Sequence, residues 1–542
     1  MKPITQIWPD DLVATYRAAG YWTGETFPAL LRDRAARFAA NTAVRTSDVS
    51  WTYAELDRRA HRFASGLMAQ GFVPGDRVLV QMSNVPEYMS AIFGLFYAGL
   101  IPVFALPAHR RLELDHLARG SEAKAILTES RIAGFDHAHL AQSLVEDLPG
   151  LSAALICEAG MAGEGLTALE AEQGDLPPDP NPQSVAFLQI SGGSTGLSKL
   201  IPRTHDDYIY SVRESVTICG MDERSVFLAV LPISHNFTMS SPGVLGAIYA
   251  GATTALAPDP RPETGFRIIK EQGVTITGLV PPLAVKWIEA AERLRPDIPT
   301  LEVLLVGGAK FLSESATRVR PVLGCTLQQV FGMAEGLVNY TRLDDPEEII
   351  VTTQGRPISP ADEILIVDDA DQPVPEGAAG NLLTRGPYTI RAYHDAPEAN
   401  AKSFTPDGFY RTGDVVRRLP SGHLEVQGRA TDHINRAGEK ISAEEVEDHL
   451  IAHPAVLDAV VVSMPDHQLG ERICAFVLPV GGQTLRAVEL RKFIREREIA
   501  AFKVPDEIRL VDSLGITAVG KINRRALRTT LRNEYLDEEA QA

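Results

Sequence analysis

The sequence predicts a layered α/β fold followed by a smaller α+β unit, and three observations carry that prediction. Short apolar runs alternate with helical patterns over roughly the first 350 residues, the signature of α/β layers with largely parallel sheet. After about residue 355 the texture changes to short strands separated by turn signals, which predicts a small β-barrel or distorted sheet closing the large part. The last ~110 residues then read as a compact α+β domain. A chain of 542 residues, 45% hydrophobic and 23% charged, has ample apolar material for several such units.

Short buried strands are predicted at 76–81, 252–256, 274–280 and 301–306, which are rich in β-branched and aliphatic residues. Helices are predicted at 87–98 and 282–293 from their apolar spacing. In the changed region, 363–369 and 422–426 read as short strands. A boundary is placed at Gly428-Arg429-Ala430-Thr431-Asp432. Beyond it come an amphipathic helix (442–453), strands at 457–464 and 472–480, and a basic helix (485–498). The predicted division is therefore 1–431 and 432–542. The run Pro177-Pro178-Asp179-Pro180-Asn181-Pro182 is a stiff connection.

Composition excludes several function classes. The formal net charge of −18 argues against a general nucleic-acid binder. No stretch approaches the ~18 uninterrupted apolar residues of a membrane span, and the N-terminus has no apolar core of a signal peptide. Cys157, Cys219, Cys325 and Cys474 lie far apart, so neither a zinc site nor a disulfide framework is indicated. The expectation is a cytoplasmic protein. Between Arg491 and Arg532, eleven Lys/Arg face five Asp/Glu, a local +6 in an acidic chain. That stretch is a solvated face or a docking surface for an acidic partner.

The strongest chemical signal is Ser191-Gly192-Gly193-Ser194-Thr195-Gly196-Leu197-Ser198-Lys199, which follows the apolar run Val185–Ile190. Glycines let backbone N–H groups approach an anion, the hydroxyls donate, and Lys199 supplies charge. A P-loop of the Walker type has its lysine directly after the last glycine. Here Leu197 and Ser198 intervene, so this phosphate loop belongs to another family.

Five further segments join it. Gly307-Gly308-Ala309-Lys310 ends a strand, where backbone can approach a flat ligand. Phe331-Gly332-Met333-Ala334-Glu335-Gly336 follows the strand-like 327–330 and places one carboxylate, Glu335, at a strand end. Beside a triphosphate, Glu335 is a candidate Mg²⁺ ligand, since that ion takes few carboxylates and shares phosphate oxygens. Asp414, in Tyr410-Arg411-Thr412-Gly413-Asp414, can accept from both hydroxyls of a ribose, and Arg429 can reach ribose or phosphate. Lys521 lies in a glycine turn near the end of the chain, Gly520-Lys521-Ile522-Asn523-Arg524.

In this order these segments resemble the adenylate-forming superfamily of acyl-CoA synthetases, peptide-synthetase adenylation domains and luciferases. The resemblance runs from Trp51-Thr52-Tyr53-Ala54-Glu55-Leu56 to Gly520-Lys521. It implies a large ATP-binding core, a mobile C-terminal lid and a hinge at Asp432. The segment Pro232-Ile233-Ser234-His235-Asn236-Phe237-Thr238-Met239-Ser240-Ser241-Pro242-Gly243 is similar to the acid-binding segment of the aryl-acid branch, the 2,3-dihydroxybenzoate–AMP ligases of catecholate siderophore synthesis. Amino-acid-activating relatives carry an Asp there. Asn236 is neutral and cannot compensate a buried ammonium, whose desolvation costs several kcal/mol. It can hydrogen-bond a phenolic 2-hydroxyl.

The resemblance also implies roles. Asn236, Ser241, Gly308 and Val338 contact the aryl acid; salicylate-preferring relatives tend to have Cys and Leu where this chain has Ser241 and Val338. Residues 191–196, Lys199, Gly308, Val330, Asp414, Arg429, Lys440 and Lys521 contact ATP. Glu335 holds Mg²⁺, His235 gates or positions the carboxylate, and Lys521 bridges carboxylate and α-phosphate. After adenylate formation the lid turns about Asp432, withdraws Lys521 and presents 438–441, and the phosphopantetheine thiol of an aryl carrier protein takes the acyl group. Ala334 stands where many members have Thr. The alternatives are a salicylate–AMP ligase, an aryl-CoA ligase, or a non-catalytic nucleotide-binding scaffold.

Overall fold

A computed structural model describes residues 3–4, 7–158, 160–191, 198–429, 433–436, 439–466, 469–481, 485–497, 503–515 and 522–541. Its framework is four sheets of four or more strands. The largest has nine strands, and its interior is parallel: Thr326–Met333, Val303–Gly307, Ile276–Leu279, Val226–Ala229, Thr253–Leu256 and Thr42–Arg45 lie side by side in that order. Antiparallel strands finish both edges. Such interior strands are buried on both faces, which is why they read as unbroken apolar runs. The predicted helices appear as Pro86–Tyr97 and Pro281–Leu294.

A six-stranded sheet carries the phosphate-loop segment. Val185–Ile190 lies parallel to Ile101–Phe104 on one side and antiparallel to Leu200–Thr204 on the other. The glycine-rich segment therefore joins two neighbouring strands, as a hairpin does, and does not open a helix as a P-loop does. Leu200–Thr204 is the edge strand, where Pro202 lacks an N–H without breaking a ladder.

The region expected to form a small barrel or distorted sheet is a four-stranded antiparallel sheet, Glu363–Val367, Ala379–Arg385, Tyr410–Arg418 and Leu424–Arg429 in that order. It is an open path, not a closed ring. Four strands are too few to close around side chains, and its apolar face is already covered. Leu382, Val416, Leu424 and Val426 pack on Leu337, Phe331 and Met333 from the edge of the large sheet. A five-stranded sheet follows, built from His433–Arg436, Glu439–Ser442, Val456–Asp466, Gly470–Pro479 and Glu507–Leu510. Helices Ala443–Ile451 and Ala487–Glu496 cover it over a separate apolar cluster that includes Ile434, Val446, Leu450, Leu490 and Ile494.

One buried ion pair ties Trp8 near the N-terminus to later parts of this frame. Helix His205–Ile218 begins in a capping box: Thr204 Oγ1 accepts from the Asp207 N–H, and the Asp207 carboxylate accepts from the Thr204 N–H at 3.0 Å. The same carboxylate accepts from Arg203 Nε at 2.9 Å and from the indole N–H of Trp8 at 3.0 Å. Arg203 continues to the carbonyls of Ala334 (2.8 Å) and Tyr388 (3.0 Å). Both charged side chains are essentially inaccessible. Removing one partner strands the other, at a cost of about 3–5 kcal/mol. Arg203→Met should therefore lower the stability measured by urea denaturation by that amount; a loss below about 1 kcal/mol would show the pair is not a structural anchor.

Candidate active site

The hairpin around the phosphate loop is closed by Ser191 and Lys199. Ser191 N–H donates to the Lys199 carbonyl at 3.0 Å, and the Lys199 N–H donates to Ser191 Oγ at 2.9 Å. Gly192, Gly193, Ser194, Thr195 and Gly196 lie outside the described residues, as do Asp432 and Lys521. The Lys199 ammonium sits 4.8 Å above the ring of Tyr393. The Tyr393 hydroxyl donates to Glu335 Oε1 at 2.8 Å and lies 3.1 Å from the Tyr410 hydroxyl.

Lys199 and Glu335, 136 positions apart in the chain, are thus brought to the ring face and the hydroxyl of one tyrosine. Burial, and next the Glu335 charge, push the phenols of Tyr393 and Tyr410 well above their ordinary value. Both stay protonated and serve as donors. Sequence reasoning missed the two tyrosines, because no spacing relates them to Glu335. Backbone bonds set the Tyr393 segment in place: Ile390 N–H donates to the Glu335 carbonyl at 2.7 Å, and His394 N–H to the Leu200 carbonyl at 2.9 Å.

Glu335 occupies a two-residue turn between Thr326–Met333 and Gly336–Tyr340, with Met333 paired to Gly336. The strand predicted over 327–330 thus runs three residues further. Glu335 is only 7% exposed, and its second carboxylate oxygen has no partner among the described residues. Asp414 and Arg429 face each other on neighbouring strands, the guanidinium Nε 2.8 Å from Asp414 Oδ1. Asp414 is buried and Arg429 half-exposed, so the pair presents its arginine outward. Lys440 is placed only by its strand, opposite Asn435.

The predicted acid-binding segment forms the short helix Asn236–Ser240. His235 caps it, its Nδ1 accepting from the Phe237 N–H at 3.3 Å, which fixes the ring's orientation. Asn236 Oδ1 accepts from the buried Tyr208 hydroxyl at 2.8 Å. Tyr208, another residue absent from the sequence-based site, packs edge-on against Phe187 and under the Arg203 guanidinium. Ser241 is buried beside the phenol of Tyr340.

Gly307 ends the strand Val303–Gly307, Gly308 follows it, and Gly307 lies against Phe237 of this helix. A Cβ on Gly307 would lie 3.1 Å from the Phe237 ring and 3.0 Å from the Val330 carbonyl, so a side chain there would crowd the helix. Gly308, at φ +90°, turns the chain away in a conformation that side-chain-bearing residues avoid. Val330 pairs with Gly307 on one side and Tyr340 on the other.

Val338 is buried, and its N–H donates to the Tyr388 hydroxyl at 3.1 Å. Tyr388 donates in turn to Asp362 Oδ2 at 2.6 Å. Burial pushes the Asp362 carboxyl up to about 7.

Residues 31–394 match the family described as AMP-binding enzyme, and residues 445–521 match the AMP-binding enzyme C-terminal domain. The chain belongs to the AMP-binding enzyme family. Among characterised relatives, a 2,3-dihydroxybenzoate-AMP ligase of Bacillus subtilis is 54% identical over 98% of both chains. A salicyl-AMP ligase / salicyl-S-ArCP synthetase of Mycobacterium tuberculosis is 44% identical, covering 96% of this chain and 93% of the relative. The apo structure of Mycobacterium smegmatis MbtA is 45% identical, with a TM-score of 0.74 over 97% of this chain and 98% of that one. An anthranilate CoA ligase bound to anthranoyl-AMP shares the fold, with a TM-score of 0.85 at 22% identity over 94% of this chain and 97% of that one. The chain is thus an adenylate-forming enzyme that uses ATP. Among the described residues no helix is long and apolar enough to cross a membrane.

The raised Asp362 carboxyl makes a pH prediction for this family member. An acid whose folded value lies above its unfolded one loses stability as pH rises from about 4 through about 7, because ionisation is penalised only in the folded state. Asp362→Asn removes the penalty. Relative to that variant, the wild type should weaken by on the order of 1–2 kcal/mol between pH 5.5 and pH 8 in urea denaturation. A pH-independent difference would contradict the shift.

Proposed function

We propose that this enzyme activates 2,3-dihydroxybenzoate with ATP and passes the acyl group to the phosphopantetheine thiol of an aryl carrier protein in siderophore biosynthesis. The observation that carries the substrate class is Asn236: a neutral amide at the start of a half-buried helix, in a pocket with no buried carboxylate on the 232–243 segment to meet an ammonium. The dihydroxybenzoate-AMP ligase of Bacillus subtilis supports the choice of acid. Ser241 supports it further, since a buried hydroxyl is a partner for a ring 3-hydroxyl and Val338 leaves room that a leucine would fill.

In the first half-reaction a carboxylate oxygen attacks the α-phosphorus. The new P–O bond forms as the bond to the β-phosphate bridging oxygen breaks, and pyrophosphate leaves. The protein's task is positioning and charge neutralisation. Residues 191–199 hold the β- and γ-phosphates, Asp414 and Arg429 hold the ribose, and Gly308 and Val330 flank the nucleotide. His235 orients the carboxylate. Lys521 bridges carboxylate and α-phosphate, and Lys440 acts after the lid turns.

Glu335 suits Mg²⁺: it is buried, one oxygen is held by Tyr393, and the other takes no described partner. When bound, the ion neutralises phosphate charge. The domains are 1–431 and 432–542 with the hinge at Asp432. The described strands support this, since Leu424–Arg429 completes one sheet and His433–Arg436 begins the next. Four free, buried cysteines support a reducing cytoplasm.

ATP–pyrophosphate exchange over a panel of hydroxybenzoates tests the substrate. The dihydroxy acid should exceed salicylate by about tenfold or more in kcat/KM, the value of one buried hydrogen bond. Equal rates would instead assign a salicylate–AMP ligase, and thioester formation with free CoA as fast as with a carrier protein would assign an aryl-CoA ligase. Lys521→Ala should abolish exchange yet leave transfer from pre-made adenylate largely intact. Equal loss in both steps would refute the moving lid.

A further inference from the structure

Asn236 is an amide, and an amide reads donors with one end and acceptors with the other. Which end faces the acid is set by Tyr208. The Tyr208 hydroxyl donates to Asn236 Oδ1 at 2.8 Å, while the nearby Ser240 hydroxyl donates to the Asn236 backbone carbonyl at 3.1 Å. The phenol keeps that proton, because burial pushes its pKa up to about 12. Its ring cannot swing away: Phe187 stands edge-on at 4.7 Å, and the Arg203 guanidinium lies 4.8 Å from its centre, itself locked to Asp207. No described residue accepts from Asn236 Nδ2.

The geometry points to Tyr208 as a positioning residue for specificity: by occupying the Asn236 carbonyl oxygen it turns the amide NH₂ toward the acid, so the pocket selects an ortho substituent that accepts a hydrogen bond and rejects one that donates. This rests on the aryl-acid reading of the same pocket. The chemistry of ortho-substituted benzoates makes the distinction sharp. In a 2-hydroxybenzoate the phenolic proton is taken by the adjacent carboxylate, leaving outward-facing lone pairs on the oxygen. In a 2-aminobenzoate one N–H bonds the carboxylate and the other points outward. An outward NH₂ of Asn236 complements the first and opposes the second, leaving two donors face to face.

The test is ATP–pyrophosphate exchange with 2-hydroxybenzoate, 2-aminobenzoate and benzoate, comparing wild type with Tyr208→Phe. The wild type should favour hydroxyl over amine by about tenfold or more in kcat/KM; Tyr208→Phe frees the amide to turn and should shrink that ratio about five- to tenfold. Benzoate, which has no ortho group to read, should change less than about twofold. An unchanged hydroxyl-to-amine ratio, or an equal fall for all three acids, would overturn the proposal, the latter assigning Tyr208 a merely structural role. Should Tyr208→Phe fail to fold, Asn236→Asp replaces the donor with an acceptor and should invert the preference toward the amine; a retained hydroxyl preference would overturn the proposal equally. A wild type inactive on every 2-hydroxylated acid would defeat the substrate reading itself, an outcome distinct from an unchanged ratio.

Discussion

Arg203 and Asp207 form the inaccessible ion pair on which the site depends. Asp207 caps the helix that carries Tyr208 and holds Trp8 from the N-terminal segment, while Arg203 grips the backbone at Ala334 and Tyr388. Three segments far apart in sequence, the return strand of the phosphate hairpin, the Glu335 turn and the 387–394 stretch, are thereby fixed to one guanidinium. A planar fork with several donors suits that task, and a lysine could not span the same set of carbonyl and carboxylate acceptors.

Around this anchor the site is organised by neutral hydroxyls as much as by charges. Tyr393 spans Lys199 and Glu335, Tyr388 carries the Val338 backbone to Asp362, and Tyr208 holds Asn236. Burial keeps each phenol protonated, so each offers one proton in one direction. On the proposed function, that arrangement lets a chain of net charge −18 present Lys199 and Arg429 to the nucleotide while Asn236 keeps the acid end uncharged.

The parallel strands were readable in the sequence because burial on both faces leaves an unbroken apolar run, as at 303–307. At 191–199 the sequence suggests phosphate chemistry, because glycines, hydroxyls and a lysine are adjacent in the chain. The hairpin was not readable, since Leu200–Thr204 contains Pro202 and Arg203 and does not look like a strand. Nor was the openness of the four-stranded sheet, which follows from its packing on Leu337 and Phe331. Tyr208, Tyr388, Tyr393 and Arg203 act through partners 26 to 185 positions away, a relation that tertiary contacts alone reveal. For residues 192–197, 430–432 and 516–521, the motifs remain the basis for assigning roles.

Native-state hydrogen exchange tests the anchor most directly. If one ion pair fixes the three segments, the protected amides of 200–208, 335–340 and 388–394 should open together, with free energies agreeing within about 0.5 kcal/mol. Exchange of the Glu335 turn and the 388–394 stretch at independent loop-like rates, while 200–208 stays protected, would contradict the account.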